Sequence, residues 1–297
     1  METLGQLQQI LPSFALDLLR LSIWLLLLMV IFVPLERLCA AHPQKVLRKG
    51  LATDLAYYFL SSLLPKALLV LPMTLIALAL HRLIPNSLQL HAMNMPLWER
   101  FAAALVVGEF GFYWGHRWSH EVPFLWRFHA IHHSAEELDW LVNTRAHPLD
   151  IVFVRLCGFV PMYALGLAQP MIGNRVDLVP LLIMLVGTVW GFFIHANVNW
   201  RFGWLEWLIS TPGFHHWHHT NDVHINKNYA SMLPCMDVLF RTCHVPRKSW
   251  PTRYGINTPT SQSLTGQLLQ PIKRSENIRI PAGDLRSSIS TSVEMPT

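Results

Sequence analysis

The sequence has few charged residues for its length. Only 14% of its 297 residues are Asp, Glu, Lys or Arg, whereas 52% are hydrophobic. This balance is too apolar for an ordinary soluble domain, and it predicts a protein that lies largely in a lipid bilayer. The net charge of +5 is small and dispersed, so we expect no nucleic-acid partner.

Cysteine is also scarce, and the four residues present show no C-x-x-C spacing: Cys39, Cys157, Cys235 and Cys243. We therefore expect neither a disulfide framework nor a thiolate metal site. The chain has no G-x-G-x-x-G segment, which is the usual fingerprint of flavin or nicotinamide binding. A zinc-protease motif is missing as well, because Phe124 stands where H-E-x-x-H would need a second histidine after His120.

Long apolar runs are what the sequence has instead. Five of them have about the 20 residues that cross a bilayer, namely 14–33, 67–84, 97–114, 149–168 and 176–194. Buried helices of a large soluble core would explain five such runs poorly. The second run follows Pro65 and is interrupted by Pro72. The runs predict an all-α fold, an integral membrane helical bundle of about four to five transmembrane helices arranged in hairpins.

Basic residues predict how these helices are oriented. Arg37, Lys45, Arg48 and Lys49 follow the first run, which places residues 37–56 in the cytoplasm. Counting spans from there returns the chain to the cytoplasm after the third and fifth runs. We divide the chain into an N-terminal transmembrane helix (1–34), a membrane domain with a cytoplasmic helical cap (35–250) and a disordered, Ser-, Thr- and Pro-rich tail (251–297).

Histidines are concentrated in three clusters. They are H-R-W-S-H (His116, His120), H-A-I-H-H (His129, His132, His133) and H-H-W-H-H-T-N-D-V-H (His215, His216, His218, His219, His224), with His195 between the last two. On a helix, positions i, i+3 and i+4 share one face, so each cluster can direct several imidazoles at one point. One histidine is usually an ordinary core or surface residue. Clusters this dense are costly in an apolar chain unless a cation gathers them.

The number of histidines indicates more than one metal ion. Neutral imidazole suits zinc, copper, iron and nickel alike. A single ion uses three or four protein ligands at a zinc site, fewer than the clusters offer. Two ions in one site, roughly 3.5 to 4 Å apart in known examples, is the simplest interpretation. The predicted topology brings every cluster to the cytoplasmic face.

The order of these clusters resembles the fatty acid hydroxylase superfamily, the sterol desaturase family. The shared pattern is HxxxH, HxxHH, a lone His and a second HxxHH. Supporting segments are E-F-G-F-Y-W-G-H-R, N-T-R-A-H-P, H-A-N-V and K-N-Y. The resemblance covers about residues 35–247.

This resemblance implies a membrane oxygenase with two iron ions and with O2 as co-substrate. Zinc could take the place of iron in the purified protein. It would hydroxylate or desaturate a C–H bond of a sterol, fatty acyl or related lipid. The implied catalytic metal ligands are His116, His120, His129, His132, His133, His195, His215, His218 and His219. Some members carry a further histidine where this chain has Asn199, which leaves one coordination position to water, His216 or His224. Asn226 stands where a carboxylate is common.

Two further polar residues are candidates for support of the site. Glu109 lies within the third run, where a carboxylate is costly unless it is paired or functional. It would line the site or pair with a neighbouring helix through Arg145. His147, before Pro148, would cap the fourth run or support the metal ligands.

The remaining predictions concern partners and the competing function. Without a flavin, nicotinamide or iron–sulfur fingerprint, electrons would come from a separate ferredoxin, cytochrome or reductase. Basic segments 37–49 and 227–248 would bind such an acidic carrier. The main alternative is a membrane metal-binding protein or metal transporter. A transporter needs ligands near the bilayer midplane, whereas these clusters lie at the ends of the predicted spans.

Overall fold

The computed structural model describes residues 12–169, 171–172, 175–246 and 249–273. These residues are mostly helical, which confirms the predicted fold class. The described part also contains one antiparallel β-ribbon, in which β1 (Met171–Ile172) pairs with β2 (Arg175–Val176). This ribbon lies in the connection that leads into the last long apolar helix.

Ten α-helices and three 3₁₀ turns form the described part of the chain. The helices are α1 (Ser13–Leu38), α2 (Leu51–Leu83), α3 (Asn86–Met93), α4 (Leu97–Glu121), α5 (Pro123–His129), α6 (Pro148–Ala164), α7 (Leu178–His195), α8 (Pro212–His218), α9 (Cys235–Leu239) and α10 (Leu264–Leu269). The 3₁₀ turns are His132–Ser134, Trp140–Thr144 and Gly203–Trp207.

Three of the described helices are long and apolar enough to cross a membrane: Ser13–Leu38, Leu51–Leu80 and Leu178–His195. Their side chains are mostly unburied within the protein, as lipid contact would require. The predicted spans at 97–114 and 149–168 do form helices, α4 and α6. However, α4 carries Glu99, Arg100 and Glu109, and α6 has only 17 residues. The count of four to five spans therefore remains a prediction.

The second span differs most from its prediction. Helix α2 begins at Leu51, directly after Gly50 at φ 85°, and it continues through Pro65 and Pro72. Each proline removes one backbone hydrogen bond, which neighbouring helices and local adjustment can compensate in a membrane. The predicted run began after Pro65 and Lys66, both of which lie inside the helix.

Helices α4 and α6 cross at very short distance because glycines line their contact. A Cβ atom at Gly111 would lie 2.1 Å from the carbonyl oxygen of Cys157, and one at Gly115 would lie 2.8 Å from its Cβ. Only the missing side chains allow this approach. The close crossing brings the first turn of α6 against the C-terminal end of α4.

The starts of α4 and α7 are tied together at the opposite end. Asp177 accepts a hydrogen bond from the Val179 backbone N–H and caps α7. The same carboxylate forms a buried ion pair with Arg100 in the first turn of α4. Because the two helices begin together, their C-terminal ends with His120 and His195 lie together at the other end.

The predicted disordered tail is wrong for its first part. Residues 251–273 pack against the body of the protein, where Tyr254 pairs with Thr220 and the side chain of Gln267 in α10 is buried. Ser263 caps α10 by accepting from the Gly266 N–H at 3.2 Å. The composition of this segment predicts disorder because composition is a local property. The contacts that order the segment join residues distant in sequence. The rest of the predicted tail, 274–297, lies outside the described residues.

Candidate metal centre

Nine histidine side chains form two groups at the end of the bundle where α4 and α7 finish. In each group, one nitrogen per ring lies within 4.8 Å of every other, and all nine residues are buried. The first group has five rings: His116, His120, His129, His133 and His218. The second has four rings: His132, His195, His215 and His219. These are the nine residues predicted as ligands, and their metal binding remains a prediction.

Five elements deliver these rings. His116 and His120 end α4, and His195 ends α7. The second cluster is not one continuous helix, because His129 ends α5 whereas His132 and His133 form a 3₁₀ turn. Helix α8 begins at the Thr211 cap with Pro212 in its first turn, and it places the last cluster. The second and third clusters each contribute to both groups.

Backbone carbonyls orient four of the rings. In each, the Nδ1–H donates and leaves Nε2 directed at the other imidazoles. The pairs are His116 with Tyr229 O (2.6 Å), His132 with Arg145 O (3.0 Å), His195 with Gly191 O (2.7 Å) and His218 with Lys227 O (2.9 Å). A carbonyl can only accept, so these bonds fix the tautomer that presents the Nε2 lone pair.

A carboxylate that the sequence analysis missed orients a fifth ring. Asp150 Oδ2 lies 2.9 Å from His129 Nδ1, and its Oδ1 accepts from the Ser119 hydroxyl at 3.1 Å. A carboxylate behind an imidazole raises its basicity as a ligand. The signal was the segment H-P-L-D, which puts an acidic residue in the first turn of α6.

Asn226 orients a sixth ring. Its side-chain oxygen lies 3.3 Å from His120 Nδ1. A carboxylate is common at this position, and the amide oxygen of Asn226 is likewise a hydrogen-bond acceptor. This contact therefore supports His120 with a neutral group.

Burial keeps several of these imidazoles neutral at physiological pH. Burial and, to a smaller extent, the nearby His129 lower the pKa of His132 to about 3. Burial also lowers the pKa values of His133, His215, His218 and His219 well below their usual range. Only neutral imidazole offers a lone pair to a metal.

Several ring nitrogens in the two groups are buried without a hydrogen-bond partner among the described residues. They are His120 Nε2, both nitrogens of His133, His215 Nδ1 and His218 Nε2. A buried polar atom without a partner is costly. A metal ion bound by these nitrogens would remove that cost, so the donor set fits a metal better than it fits an empty core.

The residues predicted to complete the coordination do not line either group. His216 uses both nitrogens elsewhere, since Nε2–H donates to Ala196 O at 3.0 Å and Nδ1 accepts from Tyr254 OH at 2.7 Å. His224 is partly exposed, and its ring stacks on His244. Asn199 is exposed, because α7 ends at His195 and the chain no longer follows a helix face.

Glu109 and His147 have structural contacts. Glu109 accepts from the backbone N–H groups of Ser231, Met232 and Leu233 and from the Ser231 hydroxyl, so it anchors the segment after the last cluster. It does not pair with Arg145. His147 Nδ1 accepts from the Leu149 N–H and caps α6, while its Nε2–H donates to Leu268 O.

Arg145 belongs instead to a buried charge network behind His132. Its guanidinium contacts both carboxylate oxygens of Asp54, at 2.5 and 3.0 Å. Arg48 contacts Asp54 at 2.7 Å and Asp139 at 2.6 Å. The network fixes the backbone of residue 145, whose carbonyl orients His132. Asp54 is thus a buried partner of two arginines.

Residues 101–242, which contain both histidine groups, match the family model described as Fatty acid hydroxylase. This segment of the chain is therefore similar to the fatty acid hydroxylase superfamily. Three similar proteins are named as enzymes that act on lipids. Ornithine lipid hydroxylase OlsE of Rhizobium tropici is 38% identical over 60% of this chain. Alkylglycerol monooxygenase of Homo sapiens is 31% identical over 54% of this chain. Methylsterol monooxygenase 2-2 of Arabidopsis thaliana is 28% identical over 50%.

The similarity to these superfamily members is partial on both sides. The matched residues span 52% of the Rhizobium protein, 34% of the human protein and 55% of the Arabidopsis protein. No solved structure matches the chain.

Proposed function

We propose that this protein is a membrane oxygenase that uses two iron ions and O2 to hydroxylate a lipid. The observation that carries the proposal is the convergence of nine buried imidazoles in groups of five and four. Two groups suit two ions better than one. The donor set is compatible with iron, and zinc can occupy the same nitrogens in purified material.

Hydroxylation is favoured over desaturation by the names of the relatives. Those described above are called a hydroxylase or a monooxygenase, and their named substrates are lipids. We therefore expect one oxygen atom to be added to a lipid of the sterol, fatty acyl or related class. The exposed apolar helices α1 and α2 would let such a substrate approach from the bilayer.

The iron ions would supply the activation of O2 and the oxidising power for the C–H bond. The chain's own part is to hold neutral imidazoles in fixed tautomers, through carbonyls, Asp150 and Asn226. Burial of all nine rings excludes water from their nitrogens. The four-histidine group offers one ligand fewer, so we expect substrate to approach from the side of that group.

Electrons would come from a separate protein of the ferredoxin, cytochrome or reductase type. Arg37, Lys45 and Lys49 are exposed near the segment that follows α1 and would attract an acidic carrier. The other basic segment predicted for this role includes residues 247 and 248, which lie outside the described residues. Reduction by an added carrier should weaken as salt rises, and a salt-independent rate would contradict this docking.

We further propose that the protein is a multi-pass integral membrane protein with the metal centre on the cytoplasmic face. The distribution of Lys and Arg after α1 supports this orientation. Accessibility of cysteines placed singly at Lys45 and at Gln89 to an impermeant thiol reagent, in sealed vesicles of known orientation, would test it in a background without the native cysteines.

The direct test of function combines metal analysis with lipid mass spectrometry. Wild-type protein should bind about two equivalents of iron after anaerobic loading and should add one oxygen atom to a membrane lipid. His132→Ala and His218→Ala each remove one ligand from a different group, and both should abolish turnover while the protein remains inserted. His42→Ala, outside both groups, is the control. Transport of metal without lipid oxidation would instead support the alternative function.

A further inference from the structure

Tyr229 is the starting point because it touches the ligand rings of the five-histidine group. Its side chain is fully buried, and its ring centroid lies 5.2 Å from that of His120 and 6.0 Å from those of His116 and His218. An easily oxidised phenol is thus in contact with three ligands of an oxidising centre.

The phenol has a proton acceptor at hand. The Tyr229 hydroxyl donates to Glu121 Oε1 at 3.4 Å. Glu121 is also bound by Arg117 at 2.9 Å, and 42% of its side chain is exposed. A phenol loses an electron far more readily when its proton leaves at the same time, and a carboxylate at this distance can accept that proton. The carboxylate beside the phenol therefore favours loss of an electron from Tyr229.

A line of aromatic rings connects Tyr229 to the surface. Ring centroids are 5.9 Å apart for Tyr229 and Tyr113, 5.7 Å for Tyr113 and Trp114, and 5.9 Å for Trp114 and Trp118. Trp118 is 43% exposed. Tyr113, Trp114 and Trp118 belong to α4, and every ring in the line is a tyrosine or tryptophan, the side chains most easily oxidised by one electron.

We propose that Tyr229 is a redox-active tyrosine. Tyr113, Trp114 and Trp118 transfer the oxidising equivalent from Tyr229 to the surface, while electrons move inward along the same rings. This inference rests on the proposed function, because the oxidant is the O2-oxidised centre. The pathway would operate when the centre is oxidised without a lipid to attack. It would protect the histidine ligands, which are otherwise the nearest oxidisable groups.

Each step balances. Tyr229 gives one electron to the oxidised centre, and its hydroxyl proton moves to the Glu121 carboxylate. An electron from Trp114 then passes through the ring of Tyr113 and refills Tyr229, the proton returns from Glu121, and Trp118 in turn gives an electron to Trp114. The oxidising equivalent ends on Trp118. There, a one-electron reductant from solution, of the thiol or ascorbate class, reduces the oxidised indole.

The test is electron paramagnetic resonance of the iron-loaded, reduced protein, frozen at intervals after mixing with O2 in lipid-free detergent. We expect a tyrosyl radical that narrows when ring-deuterated tyrosine is incorporated. Tyr229→Phe keeps the ring but loses the phenol, so the signal should disappear while iron content stays unchanged. Peptide mass spectrometry should then show more oxidation of His116, His120 and His218.

Two further variants separate this pathway from a structural role. Trp118→Leu blocks the exit, so the tyrosyl signal should persist longer than in the wild type. Tyr58→Phe is the matched control, because Tyr58 is also buried and hydrogen-bonded, but to the Leu21 carbonyl rather than a carboxylate, and its ring packs on Phe59. It should leave the signal intact.

A wild-type protein that consumes O2 without forming the radical, or a radical retained in Tyr229→Phe, would overturn the inference. Failure of the proposed function has a different signature, namely wild-type protein without bound iron and without an oxygenated lipid product.

Discussion

Single residues behind the imidazoles support them unequally. Among the described residues, Asp150 is the carboxylate that faces a ring of either group, whereas backbone carbonyls and the Asn226 amide face others. A negative charge strengthens an imidazole ligand more than a neutral acceptor does. The metal bond of His129 should therefore depend most on the residue behind it.

Asp150→Asn should lower metal affinity by about 10- to 100-fold, the usual effect of removing such a partner. The amide keeps the size of the side chain but loses its charge. Zinc affinity, measured by competition with a chromophoric chelator in detergent, gives the result directly.

The matched control is Asp222→Asn. Asp222 also pairs with a histidine, His224, at 3.1 Å, but this pair is partly exposed and outside both groups. Its affinity for zinc should equal that of the wild type. An equal loss in both variants would show that Asp150 has no special role.

Glu109→Gln should lower the free energy of unfolding by about 1–3 kcal/mol, because an amide cannot accept all the hydrogen bonds that the buried carboxylate receives. Metal affinity should change little, since Glu109 contacts the segment 231–233 rather than a ligand. Unfolding in denaturant and zinc titration of the same preparation separate the two effects. A large loss of affinity at unchanged stability would instead place Glu109 in the site.

At the scale of elements, the crossing of α4 and α6 determines where Asp150 meets His129. The glycines of α4 allow the two backbones to approach, and small residues serve this purpose in membrane helices generally. A change that separates these helices should therefore disturb the centre as well as the fold.

Gly111→Ala should destabilise the protein strongly and reduce metal content, because its Cβ would lie 2.1 Å from the backbone of Cys157. Gly187→Ala in α7 is the control, since a Cβ there meets nothing within 4 Å. It should be neutral or stabilising by about 0.5–1 kcal/mol through helix propensity. Thermal unfolding in detergent and metal analysis measure both. Equal stability of the two variants would refute the close crossing.

For the whole molecule, the burial of so many neutral imidazoles makes stability depend on pH. Burial holds the pKa of His132 and of His216 at about 3, below the ordinary value of 6.5. Between these values the unfolded chain binds more protons than the folded one, so stability rises with pH. It is fully present above about pH 6.5 and is lost as the pH falls toward 3.

Metal-free protein should accordingly unfold at a lower temperature at pH 5 than at pH 7.5. The measurement is thermal unfolding of chelator-treated protein in detergent at several pH values. A midpoint that is constant over this range, or that rises toward acid, would contradict the burial of neutral rings.

The sequence predicted the identity of the gathered histidines but not their division. Spacing of i, i+3 and i+4 is a local property, so the clusters could be read directly. His132 and His133 are neighbours in sequence yet join different groups, which depends on where α7 and α8 pack. The roles of Asp54 and Asp150 could not be predicted for the same reason, because their partners lie elsewhere along the chain.

The packing of Tyr254 determines how long a fragment of the chain must be to fold with an intact metal centre. The family similarity stops at residue 242, yet the hydroxyl that satisfies His216 comes from twelve residues later in the chain, and the arginine clamp behind His132 begins at Arg48, far upstream. A polypeptide shortened to residues 101–242 would keep all nine histidines. It would lose the supporting contacts of Arg48 and Tyr254, which lie on either side of that segment. Shortened versions should therefore extend from before Arg48 to beyond Tyr254 if they are to retain their metal.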